Sequence, residues 1–550
     1  MSSVNIASHL SAMAARRPND IAIYCATGGD PGDRDSYARM TYAELNQLSD
    51  DIAAGLLAIG IRRGNRAALM VKPGLNLFAL TFALFKAGIV PVLIDPGIGL
   101  KNIKGCIARS KPTAFIGIPP AHAARIVLGW GRETLTHLVT VGRRLGWGGV
   151  SLEEVIAAGR AKPVPMAETT ADEIAAILFT SGSTGPPKGA ICRHKNFAAQ
   201  VAAIRDMFGI QEGEVNVPTF PLFALFDPAL GMTSVIPDMD ASRPAKVYPP
   251  NVIEAVNAFG ATTMFGSPAL LNTVSRWGEA KGSKMPTLRR IMAAGAPVPA
   301  PVMRRMLALI SPDGELFPPY GATESLPVAM MSSNEILAET WAETEKGAGV
   351  CVGPPVPSIR LRVIAITDEA IADPALATDC AVGEVGEIAV CGDVVTTGYL
   401  NDEGADARSK MVSASGELWH RMGDLGYLDA KGRLWFCGRK GHRVVLEDAT
   451  LFSVNLEEVF NTHPDVYRTA LVGVTVAGIR EPLLCVELEP NTAAREKKRI
   501  ERELLAMAAS NPVTVRVKRI LFHPGFPVDV RHNAKINRET LAVWARGRLP

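Results

Sequence analysis

Three things are scarce in this sequence: net charge, paired cysteines and uninterrupted apolar runs. The 58 basic and 55 acidic residues leave a formal charge of +3, too weak a field to draw nucleic acid, so none is expected as a partner. The eight cysteines, at 25, 106, 192, 351, 380, 391, 437 and 485, include no C-x-x-C pair. Neither a zinc ribbon nor a disulfide framework is suggested, and scattered thiols fit a reducing cytoplasm. The most apolar stretch, Leu75 to Ile94, is broken by Lys86, Gly88 and Pro91. It predicts a buried helix followed by a buried strand, with no transmembrane segment. Arg16 and Arg17 follow only a modest amphipathic stretch, so no signal peptide is expected and the chain reads as cytoplasmic.

What remains is an ordinary globular composition, 47% hydrophobic and 21% charged. A chain of 550 residues is too long for one core and predicts two or more domains. Short apolar runs at 67–71, 89–94, 114–118 and 138–141 alternate with stretches of helical period, Tyr42 to Ile59 among them. Such alternation predicts an α/β fold, with parallel-rich sheets flanked by helices. No internal repeat is visible in the sequence. Short β segments at 384–391, 398–400 and 427–437 predict a β subdomain after residue 380. Beyond it, helices at 456–461 and 497–509 and strands at 469–476 and 483–489 predict a small α+β domain. The expected division is a large N-terminal domain, 1–438, and a small C-terminal domain, 439–550.

The most informative stretch runs from Ile177 to Gly189, Ile-Leu-Phe-Thr-Ser-Gly-Ser-Thr-Gly-Pro-Pro-Lys-Gly. An apolar strand opens into four hydroxyl residues, Thr180, Ser181, Ser183 and Thr184, with Gly182, Gly185 and Gly189 interleaved and Lys188 near the end. Glycines let the backbone approach closely. Successive N–H groups and hydroxyls are then suited to wrap a polyphosphate, with the lysine adding positive charge. The loop does not have the G-x-x-x-x-G-K-[ST] order of a Walker A motif, and Gly182–Gly185 is not the G-x-S-x-G elbow of a serine hydrolase. H-E-x-x-H and a dinucleotide fingerprint are also absent, so kinase, protease and dehydrogenase readings fall away.

Thr180 to Gly189 resembles the phosphate loop of the adenylate-forming superfamily, which includes acyl-CoA synthetases, adenylation domains and firefly luciferase. Further motifs follow in the family's order over nearly the whole chain. Tyr320-Gly-Ala-Thr-Glu-Ser325 is similar to the second signature, and the resemblance implies that Tyr320 stacks on adenine, Thr323 meets the α-phosphate and Glu324 holds Mg²⁺. Ala294-Gly-Ala-Pro297 resembles the adenine-lining segment and nominates Gly295, Ala296 and Pro297. Gly423-Asp-Leu-Gly-Tyr-Leu-Asp429 and Gly438-Arg-Lys440 imply ribose contacts by Asp424 and Arg439. Asn533-Ala-Lys-Ile-Asn-Arg538 takes the place of the catalytic-lysine motif and nominates Lys535. ATP and Mg²⁺ are the implied cofactors, acyl-adenylate formation the implied activity, and the small domain is expected to be mobile. The residue types fit that chemistry. A carboxylate attacking a phosphate brings two anions together, which calls for a hard oxygen ligand to a metal and an aimed cation.

Departures from the common pattern narrow the resemblance. Val444 to Phe452 carries no glycine where acyl-CoA ligases usually have a glycine-bearing loop, Gly441 stands at the hinge, and Ala534 precedes the lysine. With Phe220–Gly231 and Pro319–Pro327, these features resemble the β-lactone synthetases of bacterial long-chain olefin biosynthesis. In that subgroup a 2-alkyl-3-hydroxyalkanoic acid is adenylated and its own β-hydroxyl displaces AMP. The resemblance implies a β-hydroxy fatty acid substrate, with a thiolase, a reductase and a β-lactone decarboxylase as pathway partners. The alternative is a fatty acyl-CoA or acyl-carrier ligase using an external thiol. His194 is a candidate catalytic base and equally a structural histidine at a helix start; His420 and His442 carry both readings. Phe220, Leu222, Phe223, Leu225 and Phe226 are candidates for an acyl pocket or for core between subdomains, with Asp227 and Pro228 read as a turn.

Overall fold

The computed structural model describes residues 4–180, 186–476, 478–528 and 535–549, apart from the side chains of Pro96 and Thr180. The chain enters through helix α1 (Ser8–Arg16), strands β1 (Ile21–Ala26) and β2 (Tyr37–Thr41) and helix α2 (Tyr42–Ala58). Next come β3 (Arg66–Met70), α3 (Leu75–Ala87), β4 (Val90–Ile94), α4 (Leu100–Ser110), β5 (Ala114–Gly117), α5 (Pro119–Leu128), β6 (His137–Thr140) and β7 (Val150–Ser151). Helix α6 (Leu152–Ala161) leads to β8 (Ile174–Thr180), β9 (Lys188–Arg193) and α7 (His194–Phe208). Strands β10 (Val215–Pro218), β11 (Thr233–Ile236), β12 (Thr263–Gly266), β13 (Arg290–Ala293) and β14 (Glu315–Phe317) follow.

These strands form two seven-stranded sheets, ordered β14-β13-β12-β10-β11-β1-β2 and β7-β6-β5-β3-β4-β8-β9. In both, neighbours run parallel until the last strand, β2 or β9, which turns back antiparallel. The two windings match strand for strand, a structural repeat that the sequence does not display. Side-chain identity is free to diverge as long as each strand stays apolar and each crossover long enough to return.

Local sequence accounts for the helices between the sheets. Helix α2 starts with a capping box, in which Thr41 accepts from the Glu44 amide and Glu44 accepts from the Thr41 amide. Helix α3 is buried on every side from Leu77 to Ala87 and stops where Gly88 adopts a left-handed φ of 66°. A helix apolar all round belongs inside a core, and α3 lies in the cluster that joins α2, β3, β4, β1 and β11. Its one cation, Lys86, is buried and tied to Asp50 at 2.7 Å. Among the described residues no helix is long and apolar enough to cross a membrane.

A third, antiparallel sheet joins Val350–Gly353, Leu434–Arg439, Leu418–Leu428, Gly386–Cys391 and Arg360–Ile364, with Lys410–Val412 added beside Leu418–Leu428. The expected strand at 398–400 is reduced to one isolated bridge between Tyr399 and Ala190, followed directly by a turn. The β-rich C-terminal part pairs Val466–Val476 with Ile479–Leu488, adds Ile520–Phe522 in parallel, and carries helices Ser453–Phe460, Lys497–Ser510 and Arg538–Arg546. Near the expected hinge, the Lys440 ammonium meets the Glu387 carboxylate at 3.1 Å, beside the Arg421–Glu387 pair at 2.6 Å.

Candidate active site

A single cavity of about 2080 Å³ opens along the carboxyl ends of both seven-stranded sheets and reaches the C-terminal part. Residues just past the strand ends line it: Val71, Asp95 and Ile118 from one sheet, Thr219, Ser267 and Ala294 from the other. Crevices outside the carboxyl ends of parallel strands, where the winding changes direction, are the usual ligand sites of α/β sheets. Here β3 and β5 mark such a point, since α3, which follows β3, and α5, which follows β5, pack on opposite faces of their sheet.

Many of the sequence-nominated residues meet in this cavity. Gly295, Ala296, Pro297, Tyr320, Thr323, Glu324, Asp424, Arg439 and Lys535 all line it. Ser181, Gly182, Ser183, Thr184 and Gly185 lie outside the described residues. Thr180 ends β8 and pairs with Lys188 at the start of β9. Lys188 is not a lining residue; its ammonium stands 5.0 Å from the centre of the Tyr399 ring.

Two polar clusters stand out. The Asp424 carboxylate, nearly buried, accepts from the Tyr320 hydroxyl through Oδ2 at 2.7 Å and from Arg439 Nη1 through Oδ1 at 2.7 Å. Antiparallel pairing of Asp424 with Arg439 builds this contact into the sheet. Burial, with Asp424 adding to it, pushes the Tyr320 phenol well up, while the Asp424 charge raises the Arg439 guanidinium. Each carboxylate oxygen carries a second lone pair, so two further hydroxyls can be accepted without breaking the cluster. In the second cluster Glu324 Oε1 accepts from the Tyr399 hydroxyl at 2.7 Å, and the Thr396 amide donates to the Glu324 carbonyl at 2.8 Å. The buried Lys410 ammonium caps the Thr396 carbonyl at 2.5 Å, and burial pushes it down to about 8 although Glu324 opposes the shift. Tyr399 and Lys410 escaped the sequence reading. They lie 75 and 86 residues from Glu324 with no motif of their own, and the Gly398–Leu400 stretch that holds Tyr399 read as a β segment.

The residues that follow Lys535 are fastened in place. Ile536 bridges Val528, and the Asn537 side chain caps the helix that follows. Arg538 closes a two-pronged ion pair with Glu457 at 2.6 and 2.9 Å. His442 lines the cavity with its Nε2 buried and without a hydrogen-bond partner among the described residues; burial pushes it down to about 3. His194 is not brought to the cavity. It is buried at the start of α7, its Nδ1 accepts the Ile6 amide at 3.1 Å, and burial lowers it to about 4. His420 is buried away from the lining, its Nδ1 3.1 Å from the Ser409 carbonyl.

Phe220, Leu222, Phe223, Leu225 and Phe226 all line the cavity, and Phe223 stacks on Phe265 at 4.1 Å. Asp227 does not form the expected turn. It begins the one-turn helix Asp227–Leu230 and is buried, accepting from Asn216 at 2.9 and 3.0 Å and from Ser234, and burial pushes its carboxyl up to about 7.

Residues 10–400 match the family described as AMP-binding enzyme. The chain belongs to the AMP-binding enzyme family. Within it, the chain is 49% identical over 546 residues to an olefin beta-lactone synthetase of Xanthomonas campestris pv. campestris, covering 98% of this chain and 97% of the relative. It is 48% identical over 552 residues to an olefin beta-lactone synthetase of Stenotrophomonas maltophilia, with 99% and 98% covered. Among solved structures, an anthranilate CoA ligase, AuaEII, in complex with anthranoyl-AMP superposes with a TM-score of 0.81 at 18% identity over 99% of this chain and 98% of that one. The amide bond synthetase McbA from Marinactinospora thermotolerans gives 0.79 at 23% identity, over 98% and 99%. These two superpositions establish the adenylate-forming enzyme fold of the AMP-binding enzyme described here.

Proposed function

We propose that this protein converts a 2-alkyl-3-hydroxyalkanoic acid and ATP into a β-lactone, AMP and pyrophosphate. In the first step a carboxylate oxygen of the acid bonds to the α-phosphorus and the α–β phosphoanhydride bond breaks, releasing pyrophosphate. In the second, the β-hydroxyl oxygen bonds to the acyl carbon, the acyl–phosphate bond breaks, AMP leaves and the hydroxyl proton is released. The observation that carries the reading is identity of 48–49%, over nearly the full length of both chains, to relatives named olefin beta-lactone synthetase. A tethered nucleophile suits a site with no thiol to admit, since well-oriented intramolecular attack reaches effective molarities of roughly 10⁵–10⁸ M. Val444 to Phe452 forms a hairpin, Val444–Val445 against Thr450–Leu451.

In this reading Tyr320 and Gly295–Pro297 flank adenine, and Asp424 with Arg439 takes the ribose hydroxyls. Thr323 hydrogen-bonds the α-phosphate. Thr180–Gly185 and Lys188 serve the distal phosphates. Residues 1–438 and 439–550 act as two domains, and the second delivers Lys535 to neutralise charge between carboxylate and phosphate as a mobile point charge. Glu324 fits Mg²⁺. It is a cavity-lining carboxylate with one oxygen already oriented by Tyr399. That suits an ion held by one or two carboxylates together with substrate phosphates. When bound, it supplies charge neutralisation at the phosphates. Enzymes of condensing and keto-reducing type would supply the substrate, and a lactone decarboxylase would consume the product.

The test is to incubate the purified protein with Mg·ATP and a 2-alkyl-3-hydroxy acid, with and without CoA, and to identify products by mass spectrometry and NMR. AMP and a β-lactone without CoA are expected. A thioester formed only when CoA is present overturns lactone formation and leaves adenylation standing.

A further inference from the structure

The lining of the cavity has a pattern that one binding arm does not produce. Along a strand, consecutive side chains point to opposite faces of the sheet. A pocket on one face therefore touches every second residue. Here consecutive residues line the cavity on neighbouring strands: Leu69 and Met70 on β3, Leu93 and Ile94 on β4, Leu178 and Phe179 on β8. Leu69, Leu93 and Leu178 belong to the core between the two large sheets. Met70, Ile94 and Phe179 belong to the core on the opposite face, under α4 and α5.

The helices give the same division. On the inner face, Phe82 and Phe85 of α3 and Phe197 and Val201 of α7 line the cavity. On the outer face, Ile103 of α4, Ala121 and Ala124 of α5, and Trp130 line it. Leu100, at the start of α4, lines the cavity while remaining 58% exposed, which sets an apolar residue at the rim of the outer arm. The lining residues of both faces stand at the carboxyl ends of β3, β4 and β8, beside the β3–β5 point where the winding changes direction.

We propose that the cavity forks around this sheet edge, and that its two apolar arms hold the two alkyl chains of a 2,3-dialkyl hydroxy acid, one chain in each. The inference rests on the proposed substrate and adds how it is held. A branched acid has two chains leaving adjacent carbons, and separate arms let both be buried while the carboxylate and hydroxyl stay at the junction with the nucleotide half. Small residues at 121 and 124 keep the outer arm open.

Ala124→Trp tests the outer arm, read as acid-dependent pyrophosphate release for three acids: both chains long, only the C2 chain long, and only the C3 chain long. The bulky ring is expected to lower kcat/KM for the both-long acid and for one of the single-chain acids. The loss should exceed that for the other single-chain acid by about tenfold or more, the worth of roughly two buried methylenes. An equal loss on all three acids, or none on any, overturns the fork. A measurement on the unaltered protein stands beside it in case the variant does not fold. Acids carrying a diazirine at the far end of one chain or the other are photolysed with Mg·ATP present, and the labelled peptides are mapped. One chain end should label the α4–α5 and Trp130 region and the other the α3 and α7 region; labelling of one region by both ends overturns the fork. Both readouts report binding or adenylation. If the product proves to be a thioester, the lactone reading fails while the fork is still decided by chain length and label position.

Discussion

Set side by side, the sheet of β10–β14 and the sheet of β3–β9 share one winding: a central strand, β10 or β3, has its successor on one side and the next three on the other. Their carboxyl ends nevertheless face the cavity with different chemistry. Past β12, β13 and β14 come Ser267, the backbone-rich Ala294–Pro297 and then Tyr320–Glu324, groups able to accept, donate and stack. Past β3, β4 and β5 come Val71, Ile98 and Ile118, apolar apart from Lys72 and Asp95. Winding decides where a crevice lies; side chains decide which half of a ligand each edge takes. On this reading the first sheet handles the nucleotide and the second the acyl chains, so changes in the two halves should separate kinetically.

The largest separation is expected from Lys535→Ala. Removing a cation aimed at developing charge typically lowers the rate by about 10²–10³-fold. Acid-dependent pyrophosphate release should fall by that order while calorimetric ATP binding stays within a few-fold. Unchanged turnover would remove Lys535 from the chemistry. Asp424→Asn comes next. It loses the charge that Arg439 pairs with, and a charge-assisted hydrogen bond is worth about 1.5–3 kcal/mol. ATP affinity should weaken by about 10–100-fold with little change in the KM for the acid. A loss carried by the acid instead would break the division between the halves.

How much of this was legible depended on sequence distance. Tyr320, Thr323 and Glu324 sit within five residues, and Asp424 and Arg439 lie on adjacent antiparallel strands of one hairpin, so short Gly-marked motifs carried them. The alternation of apolar runs and helical stretches carried the α/β architecture, down to the buried helix and strand between Leu75 and Ile94. Contacts across long separations were silent. Nothing near Tyr399 announces that its hydroxyl reaches Glu324, nor does Glu457 announce Arg538. Asp227 misled, because Asp-Pro reads as a turn on a surface and here begins a buried helical turn. The matching of the two sheets was also hidden, since topology constrains only where apolar runs fall. The forked cavity was hidden for a related reason: periodicity shows that a strand is buried on both faces but not that space is left on both.

Tyr399→Phe sharpens the nucleotide half on a smaller scale. Burial first, and Glu324 second, raise this phenol, so it remains a donor across the working pH range. Losing one hydrogen bond of this kind costs about 1–2 kcal/mol. Turnover at saturating Mg²⁺ should fall only a few-fold, while the Mg²⁺ concentration for half-maximal rate rises. An unshifted Mg²⁺ requirement would mean that Tyr399 does not position Glu324 for a metal.

The smallest effect on activity, and one on stability alone, is expected from Asp227→Asn. Asn216 of β10 and Ser234 of β11 bind this carboxylate between the two central strands of the nucleotide sheet, where the equivalent register of β3 and β4 sets apolar side chains opposite one another at Ala68 and Val92 and at Leu69 and Leu93. Burial holds the folded carboxyl at about 7 against an ordinary value of 3.8. Between those values the folded protein keeps a proton that the unfolded chain has released, so stability falls as pH rises through the window and falls no further above it. Asparagine cannot ionise, has a similar shape and can donate to the Asn216 Oδ1 that is otherwise without a partner among the described residues. The variant should therefore melt roughly 2–4 °C higher than the parent at pH 8–9, with the gap closing toward pH 4–5 and adenylation unchanged. A gap that is independent of pH, or that widens in acid, would mean that Asp227 is ionised in the folded protein and that its three hydrogen bonds outweigh its burial.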